Sequence, residues 1–284
     1  MTRFPQRYEP IERLGSGGGG EVWAVRCRLT GARYALKTLA PHAGEAEVQA
    51  LVREAATLSG LEGLGLPRVV AFGTLPDEGR LFLVRELVEG ESLARVLEEG
   101  RGAWAVPLVR ACEVLTVIHR AGLLHGDIKP ANIIVGPEGQ GTLVDLGLAA
   151  PFREGGARAE GLTPKFAAPE LFFGEPLRVR SEVYSLGATL AEALQARGAE
   201  LDAEARRALA AVAARAMEKL PAARFPSVDE LASELRRLLR IEARPFDGDA
   251  AWPVLGLDGP AARLLDRVQA LGAGSLLALE GPPG

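Results

Sequence analysis

Cysteine is scarce in this chain, which limits the scope for disulfide bonds. Only two cysteines occur among its 284 residues, too few for the disulfide framework of a small secreted protein. Cys27 and Cys112 each lie within an apolar pattern. We therefore expect both to be buried, reduced thiols that pack as small hydrophobic side chains in the cytoplasm.

Long apolar runs and an excess of basic residues are also missing. No run approaches the ~20 apolar residues of a membrane-spanning helix, and the first ten residues lack the apolar core of a signal peptide. The formal net charge of -4 gives no reason to expect nucleic acid or an anionic membrane surface as a partner, since both favour a basic patch. These absences predict a cytoplasmic protein with no nucleic-acid partner and no membrane partner.

The most informative segment that is present reads HGDIKPAN, at residues 125–132. An apolar pattern of helical spacing precedes it, and a strand-like run follows it at 133–135. Its polar side chains should therefore lie on a loop at the edge of a packed core, where catalytic residues are often found. The hydrophobic content of 48% is ample for such a core in one large or two modest domains.

Residues 8–39 read as three short antiparallel strands, with a glycine-rich segment at 15–22 between the first two. Glycines let backbone N–H groups approach an anion closely, because no Cβ is in the way. Four consecutive glycines are as typical of a flexible loop, so this segment alone leaves both interpretations open.

Lys37 lies on the otherwise apolar third strand, where its ammonium group needs water or a negative partner. It is either a solvated edge lysine or one half of an ion pair. The apolar spacing at 45–59 predicts a helix, and Glu54 lies beside the apolar face of that helix. Glu54 is therefore the candidate partner of Lys37.

Two further predicted strands, at 68–73 and 81–87, complete a small sheet, and helical patterns dominate from residue 91 onwards. The chain is therefore expected to have an α+β fold. An antiparallel sheet with one helix comes first, and a mainly helical region follows.

Taken together, these features resemble the signature of a protein kinase, of the eukaryotic-like serine/threonine type found in bacteria. The matching positions are the glycine-rich loop, the strand lysine, the helix glutamate, the catalytic loop, the metal-binding triplet and the end of the activation segment. In this sequence they are Gly15, Gly17, Gly20, Val22, Lys37, Glu54, His125, Asp127, Lys129, Asn132, Asp145-Leu146-Gly147 and Ala168-Pro169-Glu170, with Arg224 as the partner of Glu170.

The resemblance implies a bilobal kinase domain over residues 1–240, with an N-lobe at about 8–87 and a C-lobe at about 91–240. It implies ATP and Mg²⁺ as cofactors and a protein substrate with a serine or threonine acceptor. By analogy, Lys37 held by Glu54 would pair with the α- and β-phosphates, and Asn132 and Asp145 would hold Mg²⁺. Asp127 would accept the hydroxyl proton, and Lys129 would balance charge on the moving phosphoryl group.

The adenine pocket is expected beside 85–88. Glu86 and Val88 would offer backbone groups to adenine, and Arg85 would stand at the back of the pocket, where the family usually has an apolar or hydroxyl-bearing residue. Such an arginine needs a carboxylate, and Glu54 is the candidate. That contact would compete with Lys37 and leaves an autoinhibited state open.

Other departures from the family pattern concern control of the site. Gly126 stands where many kinases have an arginine that binds a phosphate on the activation segment, and Thr163 is the only hydroxyl between Leu148 and Ala167. By position, Thr163 resembles a structural threonine that binds the catalytic aspartate and lysine. We expect activity without activation-loop phosphorylation. Glu182 replaces the usual aspartate at the start of a buried helix, which puts the rigidity of the loop in doubt.

The chain also lacks the helix and loops that the family usually has between residues 196 and 202 for holding protein substrates. Residues 241–258 are linker-like, and 259–284 end in a strand-like run followed by Gly-Pro-Pro-Gly. That ending resembles the first half of a P-loop and suggests the start of an ATPase module; a tail is the alternative.

Three functions stay open on the sequence alone. An active serine/threonine kinase has every charged position filled. A nucleotide-binding pseudokinase that regulates an attached ATPase or signalling module would explain Glu182, Arg85 and the shortened substrate region. A small-molecule kinase on the same fold would also suit that shortening.

Overall fold

The computed structural model describes residues 4–17, 20–61, 66–75, 79–151, 161 and 163–243. The predicted linker beyond these residues and the P-loop-like ending at 275–284 lie outside them, so both stay predictions from the sequence.

An antiparallel sheet of five strands forms the first part of the fold, in the order β1-β2-β3-β5-β4. The strands are β1 (Tyr8–Gly17), β2 (Gly20–Cys27), β3 (Arg33–Leu39), β4 (Val69–Thr74) and β5 (Leu81–Glu86). Helix α1 (Glu45–Gly60) packs against this sheet and is the one helix that the sequence predicts there. Its buried residues Leu51, Ala55 and Leu58 pack in one cluster with Leu39 and Leu83 of the sheet.

The first strand is longer than the sequence pattern indicates. The sequence pattern places the glycine-rich segment at 15–22 between the first two strands, but pairing of β1 with β2 continues to Gly17 opposite Gly20. The glycine-rich segment is thus paired backbone at both of its described ends. Gly20 has φ 141°, and a Cβ there would lie 1.8 Å from the carbonyl oxygen of Thr38. No other residue type fits this position without moving β3.

The second part of the fold is mainly helical, which confirms the predicted α+β class. Its helices are α2 (Leu93–Glu98), α3 (Ala105–Arg120), α4 (Val179–Arg197), α5 (Ala203–Ala216) and α6 (Val228–Leu239). The short strands are β6 (Glu91–Ser92), β7 (Leu123–Leu124), β8 (Ile133–Val135), β9 (Gly141–Leu143) and β10 (Ala150–Pro151). Strands β6, β8 and β9 form one small sheet, and β7 pairs with β10.

Helix α3 lies at the centre of the helical part. Its residues Leu108, Leu115 and Ile118, which repeat at helical spacing, are at most 1% exposed. The helix packs against α6 and β9 and ends just before the catalytic-loop segment. Cys112, on the same helix, is buried and free, and burial raises the pKa of its thiol to about 12. Cys27 is also buried and free. A hydrogen bond from Arg7 lowers the pKa of the Cys27 thiol to about 6.

The connection from α4 to α5 is as short as the sequence indicates. A single 3₁₀ turn at Gly198–Glu200 is followed by Asp202, whose carboxylate caps α5 by accepting a hydrogen bond from the Ala205 N–H at 2.7 Å. Helix α6 is capped in the same way, since the Ser227 hydroxyl accepts from the Glu230 N–H at 3.2 Å. Helix α5 ends at Ala216.

Among the helices of the described residues, none is both long and apolar enough to cross a membrane.

Candidate functional site

The catalytic-loop segment lies between β7 and β8 and is fixed by its own backbone. Pro130 begins a 3₁₀ turn that ends at Asn132, whose N–H donates to the Lys129 carbonyl at 3.0 Å. His125 is fully buried, and its Nδ1 accepts from the Asp127 N–H at 3.3 Å. His125 is therefore a packed side chain that supports the loop.

Three side chains surround the Asp127 carboxylate. The Thr163 hydroxyl donates to its Oδ1 at 2.9 Å, and the Asn132 Nδ2 donates to its Oδ2 at 3.0 Å. Lys129 Nζ lies 2.6 Å from the same Oδ2 and also donates to the Thr163 hydroxyl at 3.1 Å. The structure thus places Thr163 where the resemblance predicts a structural threonine, in contact with both the aspartate and the lysine.

Lys37 joins the two parts of the fold. Its Nζ donates to Glu54 Oε2 of α1 at 2.7 Å and to Asp145 Oδ1 at 2.8 Å. Burial lowers the pKa of Lys37, but the two carboxylates outweigh burial and hold it above its ordinary value. Burial likewise raises the pKa of Asp145, and Lys37 outweighs it, so that Asp145 titrates below its ordinary range. Of the two interpretations left open by the sequence, the ion pair is therefore the correct one.

Strand register fixes where the described glycines lie relative to Lys37. Val22 of β2 pairs with Gly15 on one side and with Lys37 on the other. Since directly paired residues of antiparallel strands share a face, Val22 and Lys37 lie on the same side of the sheet. Gly17 and Gly20 pair with each other level with Leu39, two residues further along β3 than the lysine. The backbone N–H groups of the described glycines could meet an anion there.

The residues predicted to border adenine lie at the end of β5. The Glu86 side chain is exposed and accepts from Arg68 Nε at 3.2 Å. Val88 follows in the connection to β6 and is half-buried. The backbone of this segment would therefore be the part that contacts an adenine base.

Arg85 reaches Glu54, as the sequence predicts, and does not displace Lys37. The Arg85 Nε lies 3.8 Å from Glu54 Oε1, while Lys37 keeps Oε2. The two cations therefore contact different oxygens of one carboxylate, and no competition between them is present in this structure.

The donor atoms near Asp127 fit a hard cation such as Mg²⁺. Asn132 Nδ2 donates to the Asp127 carbonyl at 2.8 Å and to its carboxylate, which leaves the amide oxygen of Asn132 as the atom for a cation. Asp145 adds a carboxylate. No group of three or more His, Cys, Asp or Glu side chains among the described residues could hold a metal by itself. The amide oxygen of Asn132 and the carboxylate of Asp145 would suit Mg²⁺, with phosphate and water as further ligands.

Glu182 connects the catalytic loop to helix α4. It is buried at the start of α4, and its Oε1 accepts from the Gly126 N–H at 2.6 Å. Its Oε2 lies 2.5 Å from His119 Nε2 of α3. The longer side chain therefore does reach the loop backbone.

A buried ion pair connects Glu170, in the segment after Thr163, to Arg224. Arg224, whose side chain is 0% exposed, donates to both carboxylate oxygens of Glu170 at 2.7 Å. Ser181 of α4 donates to the same carboxylate at 2.9 Å. The predicted pairing of Glu170 with Arg224 is confirmed.

Sequence reasoning missed the position of His119. A single histidine on an apolar helix carries no signal of its own, and its partner Glu182 is 63 residues away. The one signal available was position: His119 lies in the last turn of α3, next to the buried Ile118, and so close to the loop that follows.

Residues 8–241 match the family model described as "Protein kinase domain". The chain is similar to serine/threonine-protein kinase pkn2 of Myxococcus xanthus, with 34% identity over 195 residues, which cover 64% of this chain and 23% of the relative. It is 32% identical over 198 residues to the DNA damage-responsive serine/threonine-protein kinase RqkA of Deinococcus radiodurans, covering 66% of this chain and 30% of that protein.

A third relative is serine/threonine-protein kinase PknA of Mycobacterium tuberculosis, with 34% identity over 200 residues, covering 66% of this chain and 46% of the relative. The chain thus spans less than half the length of each of these three proteins.

Proposed function

Because the chain belongs to the protein kinase domain family, we propose that it transfers the γ-phosphoryl group of ATP to serine or threonine hydroxyls of protein substrates. The observation that carries the proposal is the fixed Asp127 carboxylate. Lys129, Thr163 and Asn132 hold it from three sides at 2.6 to 3.0 Å. A carboxylate held in this way can accept the proton of a hydroxyl that is placed against it.

In the reaction, the acceptor oxygen forms a bond to the γ-phosphorus as the bond to ADP breaks, and the hydroxyl proton passes to Asp127. Lys129, next to Asp127, balances the negative charge of the moving phosphoryl group. A lysine two residues after the aspartate is the serine/threonine form of the loop, which favours these acceptors over tyrosine.

The nucleotide would be held between the sheet and the loop. Lys37, supported by Glu54, would bind the α- and β-phosphates, and the backbone of Gly15, Gly17 and Gly20 would cover them beside Val22. The backbone of Glu86 and Val88 would bind adenine. Asn132 and Asp145 would hold Mg²⁺, which supplies charge neutralisation at the phosphate oxygens.

An assay of phosphoryl transfer tests this function. The full chain is incubated with labelled ATP, Mg²⁺ and a generic protein acceptor, and the labelled amino acid is identified. We expect label on serine or threonine, and a fall of about 10²- to 10⁴-fold for Asp127→Asn. Asp202→Asn is the matched control, because asparagine can also cap α5. It should keep full activity.

Other outcomes of that assay would contradict the proposal. Binding of MgATP without transfer to any acceptor would support the pseudokinase alternative. Transfer to a small hydroxyl compound but to no protein would support a small-molecule kinase, in line with the short connection between α4 and α5.

Phosphorylation of the activation segment is not required in this proposal. Two features support that view. Gly126 has no side chain with which to bind a phosphate, and the Thr163 hydroxyl is already engaged by Asp127 and Lys129. Enzyme treated with a phosphatase, and shown by mass spectrometry to be unmodified at Thr163, should keep its rate. Loss of activity on that treatment would contradict this part of the proposal.

A further inference from the structure

Glu54 carries a carboxylate that is fully buried and contacts two cations. One oxygen, Oε2, accepts from Lys37 Nζ at 2.7 Å. The other, Oε1, is a buried atom that accepts no hydrogen bond from the described residues, and Arg85 Nε lies 3.8 Å away from it. The Arg85 side chain is itself only 11% exposed. A buried carboxylate with an unbonded oxygen is costly unless a charge lies close to it, and Arg85 supplies that charge.

Strand register brings Arg85 and Lys37 to the same face of the sheet. Ala35 of β3 pairs with Arg85 of β5, and Lys37 pairs with Leu83. Residues 35 and 37 are two apart on one strand, so they point to the same side, and their partners do so too. Leu83 packs with the buried residues of α1. Both cations therefore face α1, from neighbouring strands.

The charges at this point balance. Lys37 and Arg85 are two cations, and Glu54 and Asp145 are two carboxylates, with Lys37 2.8 Å from Asp145. In the proposed reaction Lys37 must also bind nucleotide phosphates. If Lys37 were the only cation beside Glu54, each movement of its ammonium group towards a phosphate would leave a buried carboxylate without compensation.

We propose that Arg85 is a positioning residue that holds the second oxygen of Glu54, so that Lys37 can be shared between Glu54 and the phosphates of a bound nucleotide. Arg85 keeps α1 against the sheet while Lys37 moves. The inference rests on the proposed kinase function only in naming a nucleotide as the ligand.

A double-mutant cycle tests the contact without any enzymatic assay. The variants are Arg85→Met, Glu54→Gln and the double variant, each unfolded in urea. Glu54→Gln leaves two buried cations facing a neutral amide in the wild-type background, but only one in the Arg85→Met background. We expect Glu54→Gln to change the unfolding equilibrium constant at least about fivefold more in the wild type than in the Arg85→Met protein.

The matched control is Arg26→Met, an exposed arginine of β2 on the same sheet. Its effect should add to that of Glu54→Gln without coupling. If the effects of Arg85→Met and Glu54→Gln are equally additive, Arg85 does not hold Glu54, and the inference is wrong.

A binding measurement then separates positioning from a direct contact with the base. The dissociation constants of MgATP and of adenosine are measured by calorimetry for the wild type, Arg85→Met and Arg85→Lys. We expect Arg85→Met to weaken MgATP at least about threefold and to leave adenosine unchanged, because adenosine has no phosphate for Lys37. Arg85→Lys keeps the charge and should recover much of the MgATP affinity. An equal loss for both ligands would assign Arg85 to the adenine pocket and overturn the proposal.

Failure of this inference and failure of the proposed function give different results. Coupling between Arg85 and Glu54 in a protein that binds MgATP but transfers no phosphoryl group would support the inference and contradict the kinase function. Phosphoryl transfer by a protein that shows no coupling between Arg85 and Glu54 would support the kinase function and contradict the inference.

Discussion

The buried carboxylate of Glu182 accepts a hydrogen bond from the backbone N–H of Gly126 at 2.6 Å. Gly126 has φ 87°, in the left-handed region, and a Cβ there would lie 2.5 Å from the carbonyl oxygen of Leu148. The catalytic loop is therefore hydrogen-bonded to α4 through Glu182, and at Gly126 it also lies against Leu148 in the segment after Asp145. Many kinases carry an arginine at this position, but here any side chain would have to move Leu148.

Gly126→Ala is expected to lower both stability and activity. Positive φ and the contact with Leu148 should together reduce the free energy of unfolding by about 1–3 kcal/mol, and the displaced segment should reduce the rate of transfer. Urea unfolding and the rate with ATP measure the two effects. Gly31→Ala is the control, since Gly31 also has positive φ but its Cβ would meet nothing within 4 Å. Equal losses in both variants would show that the Leu148 contact has no effect.

Glu182→Asp restores the residue usual in the family, and we expect it to destabilise this chain. Aspartate is one methylene shorter and cannot reach both the Gly126 N–H and His119, which Glu182 contacts at 2.6 and 2.5 Å. Loss of one buried partner should cost about 1–3 kcal/mol in unfolding free energy. If the shorter carboxylate keeps the loop and releases the histidine, His119→Ala will cost less in the variant than in the wild type. An equal cost in both backgrounds would contradict this account.

Thr163→Ala should lower the transfer rate about tenfold or more, because the hydroxyl both donates to Asp127 and accepts from Lys129. Thr163→Ser keeps the hydroxyl and should keep most of the rate. Thr163→Glu mimics a phosphate and should not activate the enzyme. Steady-state kinetics with ATP and a protein acceptor measure all three. Higher activity of the glutamate variant would indicate a phosphorylation switch instead.

Glu170→Gln should destabilise the fold in a pH-dependent way. Burial raises the pKa of Glu170, but hydrogen bonds from Arg224 outweigh it and hold the pKa below its ordinary value of 4.5. Ionised Glu170 therefore stabilises the fold above about pH 4.5, and this contribution is lost as the pH falls below that value. At pH 7 the variant leaves Arg224 buried without a counter-ion, which should cost about 3–5 kcal/mol.

The difference in unfolding free energy between wild type and Glu170→Gln should narrow in urea titrations below pH 4.5. Glu175→Gln, at an exposed site on the same segment, should show little difference at any pH. If the difference in unfolding free energy between the wild type and Glu170→Gln stays constant from about pH 7 to about pH 3.5, the ion pair does not cause that difference.

Much of the fold follows from local patterns in the sequence. The apolar spacing of α1 and α3 and the alternation in β2 and β3 report which faces are buried, and the caps at Asp202 and Ser227 report where helices begin. The pairs Lys37–Glu54 and Glu170–Arg224 could be named because a family motif connects residues that are far apart in the chain.

Contacts without such a motif could not be predicted in full. His119 gives no sign of its distant partner Glu182. The pairing of β1 as far as Gly17 depends on backbone hydrogen bonds, which glycine makes without any side-chain pattern to reveal them. That Arg85 and Lys37 take different oxygens of Glu54 depends on distances of a few ångströms, which spacing along the chain does not determine.

Helix α1 packs against the turn at Leu146–Leu148 as well as carrying Glu54. A Cβ on Gly147 would lie 3.6 Å from the carbonyl oxygen of Ala50, so the helix and the turn are in close contact. Asp145, just before that turn, has a left-handed backbone with φ 67°, a conformation in which aspartate is more common than most residues other than glycine. The orientation of α1 thus affects both the counter-ion of Lys37 and the turn that follows Asp145. A rotation of α1 would therefore disturb two parts of the proposed nucleotide site together, without moving a residue that contacts Asp127.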